Sequence, residues 1–269
     1  MFSTSAPWLI EGQQYGWVDQ TFAAQLRQFP DVFHLDEQAV CLAAPLVGYQ
    51  ERTQAVHGVM HQLHAAGVID TWVGEAYPVT LAFDATPVLE MERAAASFMG
   101  IRSFGVHVNG LVRKADGIHV WIGVRSAHKP FWPGKLDQMV AGGQPIGLGL
   151  LENVIKEAQE EASVSRALAE QAQAVGQLAY RHQGVRGLED STLYLYDLWL
   201  PEDFQPVNED GEVEAFRLIP LQELAELTEH TAAFKDNCNL VNIDLLLRQQ
   251  LFNNSHTDYS AIRQALYGA

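Results

Sequence analysis

The sequence predicts a layered α/β fold, in which a smaller α/β module precedes a larger α/β/α body. Three observations support this class. Segments rich in β-branched residues alternate with segments of helical periodicity. Two strand-like segments after residue 100 flank a short Ala-Asp-Gly turn, as in a β-hairpin. An amphipathic helix with a continuous apolar stripe follows a glycine-rich segment. Such interleaving is typical of sheets covered by helices.

The N-terminal module alternates between helical and extended patterns. We expect a helix over residues 17–29, strands over 32–46, an amphipathic helix over 52–66 and a strand over 77–83. The module is predicted to end near Met99-Gly100, before the strand FGVHVNGLVRK. The predicted domains are therefore residues 1–99 and residues 100–269.

The second domain begins with the hairpin, whose turn is Ala115-Asp116-Gly117. A helix is predicted from near Gly149 or Leu150 to Glu161 or Val164, with a buried stripe of Leu151, Val154, Ile155 and Ala158. After it we expect a helix over residues 166–175, strands over 177–181, 192–200 and 214–219, and a final pair of helices.

The composition indicates a globular chain with a substantial core and an acidic excess. Of its 269 residues 48% are hydrophobic, and the formal net charge is −16. Because Lys and Arg form no block, neither nucleic acid nor an anionic membrane is expected as a partner. Cys41 and Cys238 lack the spacing of a disulfide framework or a zinc site. With no apolar run of about eighteen residues and no signal-peptide pattern, a cytoplasmic location is expected.

The most informative segment is residues 142–164, GGQPIGLGLLENVIKEAQEEASV. On a helix, Glu160 and Glu161 lie about 60° and 40° to either side of Glu157, so three carboxylates share one sector. Like charges at this spacing destabilise a helix unless something neutralises them. Because Mg²⁺ binds carboxylate and phosphate oxygens, the trio predicts a magnesium site for a phosphate ester or anhydride. Mn²⁺ is expected to substitute; a solvated helix face is the alternative.

This segment resembles the Nudix box. Residues 156–161, Lys-Glu-Ala-Gln-Glu-Glu, and the later Val164 match its second half, with Lys in place of Arg and Ala in place of a larger aliphatic residue. Gly142 falls on the first glycine of the pattern. Leu148 stands at the upstream glutamate position, and Ser163 replaces the second glycine.

The upstream glutamate commonly braces the arginine in the wider family, and both partners have changed in this chain. Glu152 precedes Lys156 by four residues, which is the favourable order for a helical ion pair. We therefore expect Glu152 and Lys156 to form a substitute structural brace.

A wider resemblance is to the Nudix proteins related to thiamine pyrophosphokinase. The segments that carry it are residues 121–165, 104–110, 194–218 and 234–248, together with RTQAVHGVMHQLHAAGVIDTW in the N-terminal third. This resemblance implies the Nudix fold, in which a mixed sheet lies between helices. It also implies magnesium-dependent hydrolysis of a diphosphate.

The resemblance assigns the metal to Glu157, Glu160 and Glu161. A bound Mg²⁺ would stabilise negative charge and lower the pKa of the attacking water. The base that accepts the water's proton is expected to be Glu161, or else Glu212 or Glu214 from the segment DGEVEAF.

Other residues near the box are candidates for substrate binding. Basic side chains would bind diphosphate oxygens, glycines would allow close approach, and aromatic rings would stack on a heterocycle. The candidates are Arg125, Lys129, Lys135, Gly142, Gly143, Phe131, Trp132 and Asp197. For each side chain, a structural role at the surface or in a strand is the alternative.

The substrate implied by the resemblance is thiamine diphosphate, or its oxidised oxo and oxy analogues, converted to the monophosphate with release of phosphate. That activity would make the protein a metabolite-repair enzyme. A hydrolase of nucleoside diphosphate derivatives such as ADP-ribose is the alternative enzyme. A catalytically impaired ligand-binding regulator is the alternative outside enzymes, and homodimerisation is left open.

Overall fold

A computed structural model of the chain describes residues 5–129 and 131–268, which form two compact units. The first contains the described residues up to Phe104, with Gln144–Gly147 and Ala179–Thr192. The second contains Gly105–Gly143, Leu148–Leu178 and the chain from Leu193 onwards. The domain boundary near residue 100 stays a prediction.

The first unit is built on a four-stranded sheet of β1 (Ser5–Ile10), β2 (Gln13–Asp19), β3 (Phe33–Leu35) and β4 (Val40–Leu42), in the order β2-β1-β4-β3. A two-stranded ribbon, β5 (Ala76–Val79) and β6 (Leu89–Glu92), and the helices α1 (Gln20–Leu26), α2 (Tyr49–Ala65) and α3 (Ala96–Met99) complete it. Its core packs Trp8, Phe22, Phe33 and Met60, which are almost fully buried.

The second unit carries most of a seven-stranded sheet. The strands are β7 (Arg102–Lys114), β8 (Gly117–Arg125), β9 (Leu136–Gln138), β10 (Val140–Gly143), β11 (Gln173–Gly184), β12 (Gly187–Trp199) and β13 (Val213–Pro220). Their order is β11-β12-β7-β8-β13, with β10 paired to β7 and β9 paired to β8. The helices are α4 (Leu150–Ala162), α5 (Arg166–Ala169), α6 (Leu221–His230), α7 (Asp236–Arg248) and α8 (Tyr259–Tyr267).

Helices cover both faces of this sheet. Successive side chains of a strand point to opposite faces. On β8, Trp121 therefore joins a core with Val154 of α4, whereas Ile122 joins a second core with Leu224 of α6 and Leu245 of α7. The predicted α/β class is confirmed. Across the described residues, no helix is both long and apolar enough to cross a bilayer.

Several element boundaries differ from the sequence prediction. Helix α1 begins at Gln20 and not at residue 17, because the preceding residues belong to β2. The helix expected over 166–175 ends at Ala169, and β11 begins at Gln173. Three helices, rather than two, follow β13. Leu151, predicted to be buried, is exposed on the far side of α4.

Candidate active site

Helix α4 carries the acidic segment, and its buried face and its C-terminal end fix where the carboxylates lie. Val154, Ile155 and Ala158 are buried and anchor the helix to the sheet. The helix ends at Ser163, whose φ of 50° is left-handed, and the next residue, Val164, donates its N–H to the Ala158 carbonyl at 3.0 Å. Glycine is favoured in this conformation, which explains why the family pattern has one there. The Ser163 hydroxyl instead bonds the Val207 carbonyl at 2.7 Å.

Gly142 makes room for the first carboxylate of the trio. Strand β10 pairs antiparallel with β7 and sets Gly142 opposite Val106. A Cβ atom on Gly142 would lie 2.3 Å from Cδ of Glu157, well inside van der Waals contact. Gly142 therefore has a packing role, and its contact with substrate stays a prediction. Gly143 has a structural contact as well, because its carbonyl accepts a 2.9 Å bond from Asn153 Nδ2.

The three carboxylates differ in environment. Lys156 Nζ bridges Glu157 and Glu160 at 3.1 and 2.8 Å, and Glu160 is the most exposed of the three. Glu161 is buried and accepts a 2.9 Å bond from the Ala141 N–H. Within the described part of the chain, no cation pairs with Glu161. The helix therefore leaves one buried carboxylate without a counter-charge.

The pKa of the Glu161 carboxyl group reflects the missing counter-charge. Burial raises its pKa well above the ordinary value, and the nearby charges of Glu157, Asp137 and Glu212 raise it further. The Ala141 N–H opposes these effects only in part. A hard divalent cation would relieve both the burial of the charge and the repulsion. The donor set, carboxylate oxygens beside a glycine that leaves space for them, fits such an ion.

A small cleft adjoins Glu161. It encloses about 10 Å³, close to what a single water molecule needs. Among the residues that line it, Arg125, Lys129, Glu161 and Glu212 were predicted from sequence. Asp137 and Gln138 line it too and were missed.

Asp137 is the most informative of the missed residues. It bonds Arg125 at 2.8 Å and accepts a 2.9 Å bond from the Cys238 thiol, and Lys235 lies 3.8 Å away. Burial by itself would raise its pKa, but Lys235, His107 and Arg125 together lower it to about 2. Asp137 therefore stays ionised. Its local sequence, Lys135-Leu136-Asp137-Gln138, carries no hydrophobic pattern that could have revealed it.

Asp137, Cys238 and His107 form a buried polar cluster whose ligand atoms lie within 4.8 Å of one another. Burial raises the pKa of Cys238 well above its ordinary value, so the thiol stays protonated. Burial and the Lys235 charge lower the pKa of His107 to about 4. His107 Nδ1 lies 2.7 Å from Gln138 Oε1. In this arrangement the Cys238 thiol and two cations, Arg125 and Lys235, support the Asp137 carboxylate.

The three predicted basic residues already have protein partners. Arg125 donates to the carbonyls of Phe131 and Trp132 as well as to Asp137, so its guanidinium holds the loop, and its contact with substrate stays a prediction. Lys129 pairs with Glu212, and Lys135 donates to the carbonyl of Ala232.

The loop held by Arg125 carries two aromatic side chains, Phe131 and Trp132. The rings of Phe131 and Trp132 are 6.1 Å apart, and both side chains are half-buried. Lys235 Nζ lies 5.6 Å from the centroid of the Trp132 ring, so that ring takes part in a cation–π contact.

The observed contacts disagree with the predicted roles of two residues, Asp197 and Glu214. Asp197 is buried and paired with Arg248 of α7, and it does not line the cleft. Glu214 is exposed at an irregularity of β13 and does not line the cleft, whereas Glu212 and Val213 do.

The brace between Glu152 and Lys156 is absent. Arg166 reaches Glu152 with two hydrogen bonds, of 2.9 and 3.2 Å. Lys156 turns to Glu157 and Glu160, where negative charge is concentrated.

Comparison with known proteins agrees with the site. Residues 103–238 match the model of the NUDIX domain, and residues 2–103 match a domain of unknown function (DUF4743). Nudix hydrolase 24, chloroplastic, from Arabidopsis thaliana is 41% identical over 255 residues, which are 94% of this chain and 70% of that protein. Nudix hydrolase 20, chloroplastic, from the same plant is 40% identical over 269 residues, with 97% and 72% covered.

Among solved structures, the NUDIX domain of Shewanella oneidensis NrtR, complexed with ADP ribose, has a TM-score of 0.43 at 14% identity and covers 56% of this chain and 88% of that chain. The family model and the two plant relatives establish the assignment without it. This chain belongs to the Nudix family and is a hydrolase of diphosphate-containing small molecules, in a family that generally uses divalent metal ions.

Proposed function

We propose that the protein hydrolyses thiamine diphosphate, or its oxo and oxy analogues, to the monophosphate and phosphate, with Mg²⁺ as its metal. The resemblance of residues 121–165 to Nudix proteins related to thiamine pyrophosphokinase supports this substrate. The observation that carries the proposal is the Trp132 ring with the Lys235 ammonium 5.6 Å from its centroid. The positively charged thiazolium ring of thiamine diphosphate would replace the Lys235 ammonium on this face, and a neutral adenine gains less from it. The uncharged ring of the oxo analogue would stack on Trp132 without the cation–π contribution.

The metal would be held by Glu157, Glu160 and Glu161. Lys156 must release Glu157 and Glu160 for this to happen, and the side chain can do so because it is more than a third exposed. Bound there, the ion supplies charge neutralisation for the diphosphate and a more acidic water.

The remaining steps fall to side chains of this chain. Lys129 lines the cleft, and Lys235 lies 3.8 Å from the lining residue Asp137; both would neutralise charge on the leaving phosphate. Glu161 and Glu212 face a space for one water. We assign proton transfer to Glu212, because Glu161 is occupied by the Ala141 N–H and by the metal group. Asp137 and Arg125 position the loop that carries the aromatic rings.

The test is turnover on a panel of diphosphates. Purified protein with Mg²⁺ is incubated with thiamine diphosphate, its oxo and oxy analogues and ADP-ribose, and monophosphate and phosphate are measured. We expect the thiamine compounds to give the highest kcat/KM. Activity confined to ADP-ribose would remove the thiamine proposal.

Variants on the best substrate test the residue roles. Glu160→Gln and Glu161→Gln are expected to lower kcat about 100-fold or more, because each removes a carboxylate from the metal group. Glu152→Gln is the matched control on the same helix, because that carboxylate bonds only Arg166. Turnover that survives both the Glu160→Gln and the Glu161→Gln substitutions would contradict the metal role. If Glu161→Gln retains Mn²⁺ binding and Glu212→Gln retains full turnover, the base is Glu161.

A further inference from the structure

The first unit contains a second cleft, which shares no residue with the one around Glu161. Its volume is about 310 Å³, at the lower end of the range of small-molecule sites. Strand β2, the start of β7 and the facing parts of β11 and β12 contribute its lining residues, which include Tyr15, Trp17, Arg102, Arg181 and Asp190. None of these residues takes part in the hydrolytic chemistry proposed above.

The charges in this cleft do not balance. Arg181 donates from Nε and Nη2 to Asp190 Oδ2 at 3.0 and 2.9 Å. Arg102 Nη2 lies 3.6 Å from the same oxygen, and its Nη1 donates to the Leu81 carbonyl at 2.7 Å. Two guanidinium groups thus face one buried carboxylate, which leaves one positive charge in excess on a chain of net charge −16.

Donors remain available on both guanidinium groups. Among residues 5–129 and 131–268, neither Arg181 Nη1 nor Arg102 Nε has a hydrogen-bond partner. Asp190 fixes the orientation of Arg181, so less rotamer entropy is lost when a ligand binds. Planar guanidinium forks with free N–H groups match carboxylate and phosphate oxygens.

The floor of the cleft is rigid. A Cβ atom on Gly16 would lie 2.2 Å from the Met99 carbonyl oxygen, and one on Gly100 would lie 2.2 Å from the Trp17 carbonyl oxygen. Gly100 also has a left-handed φ of 57°. The two backbones therefore pack directly against each other, and the cleft is formed before any ligand arrives.

Tyr15 and Trp17 add an aromatic wall. Both line the cleft from β2, with Tyr15 at the point where the pairing of β2 with β1 shifts by one residue. Both are half-buried, which leaves ring surface for a ligand. We propose that this cleft binds a small aromatic or heterocyclic molecule that carries one oxyanion, a carboxylate or a phosphate monoester. The Arg102 and Arg181 pair binds the oxyanion, and Tyr15 and Trp17 contact the ring.

Calorimetric titration of the full-length protein tests the proposal. The probes are phenyl phosphate and benzoate, with benzylamine as a cation of similar size. EDTA is present throughout, so that no metal recruits a phosphate to the carboxylate trio. We expect at least one oxyanion probe to bind with a Kd on the order of 1 mM. Binding of phenyl phosphate alone identifies a phosphate site, and binding of benzoate alone identifies a carboxylate site.

Variants assign the binding to this cleft. Arg181→Gln is expected to weaken binding about 10-fold, because it removes charge-assisted donors from a half-exposed side chain. Arg27→Gln is the matched control, because that arginine is exposed in the same unit and has no ion pair among the described residues. Glu160→Gln should leave the affinity unchanged. Trp17→Leu, with the fold checked by circular dichroism, should also weaken binding.

The proposal is overturned if neither oxyanion binds at about 10 mM. It is also overturned if benzylamine binds as well as the oxyanions do, or if Arg181→Gln and Arg27→Gln have equal affinity.

Discussion

Gly142→Ala is expected to abolish most of the activity without unfolding the protein. The new Cβ atom would lie 2.3 Å from Cδ of Glu157, about 1.1 Å short of the 3.4 Å at which ordinary contact begins. The clashing atoms are the far end of a flexible side chain, so the conflict is relieved when the Glu157 carboxylate moves away. A displacement of about 1 Å at a catalytic constellation costs about 100-fold in rate.

The stability of the variant should change little, by less than about 1 kcal/mol, because no backbone atom obstructs the new methyl group. The assays are phosphate release under saturating Mg²⁺, Mn²⁺ binding by electron paramagnetic resonance, and urea denaturation. Gly149→Ala is the control, because its Cβ atom would meet nothing within 4 Å. A Gly142→Ala protein with normal kcat and normal Mn²⁺ affinity would refute the assigned position of Glu157.

Three further predictions concern residues around the sheet. The pKa of His107 is lowered from 6.5 to about 4, chiefly by burial, so the free energy of unfolding should fall by about 3 kcal/mol as the pH falls from 6.5 to 4. Urea titrations at several pH values should show a weaker pH dependence of this free energy in His107→Gln. An unchanged pH dependence contradicts the assignment. Asp197→Asn should cost about 2 kcal/mol, because Arg248 loses one of its two buried carboxylate partners and keeps Asp244, while kcat of the folded fraction stays normal. A loss of kcat at unchanged stability would return Asp197 to the active site. Glu152→Gln breaks only an exposed pair with Arg166, so the urea midpoint and kcat should both match wild type. A large drop in either would support the ion pair of Glu152 with Lys156 that was predicted from the sequence.

Much of the fold could be predicted because periodicity is a local property. The hairpin of β7 and β8, the helix α2 and the helix α4 appear close to their predicted positions. The errors occur where neighbouring elements compete for the same residues. The pattern near Trp17 satisfies both a helix and a strand, and pairing of β2 with β1 decided in favour of the strand.

The functional site, like the fold, could be predicted from the sequence only in part. The spacing of Glu157, Glu160 and Glu161 follows from helix geometry and could be predicted, as could the need for a glycine at Gly142 through the box pattern. Asp137 could not be ranked above other acidic residues, because its importance depends on Cys238, a partner 101 residues away in sequence.

The sequence by itself determined that three carboxylates share one helix face after a glycine-rich segment, since that arrangement needs only the rise and twist of a helix. Only the tertiary structure decided which of them is buried, because burial of Glu161 depends on the strand that carries Ala141. It also decided that Arg125 holds a loop and that Lys156 pairs forward along α4 and not with Glu152. Charged groups take the partners that packing brings near, and packing is fixed by contacts between residues distant in the chain.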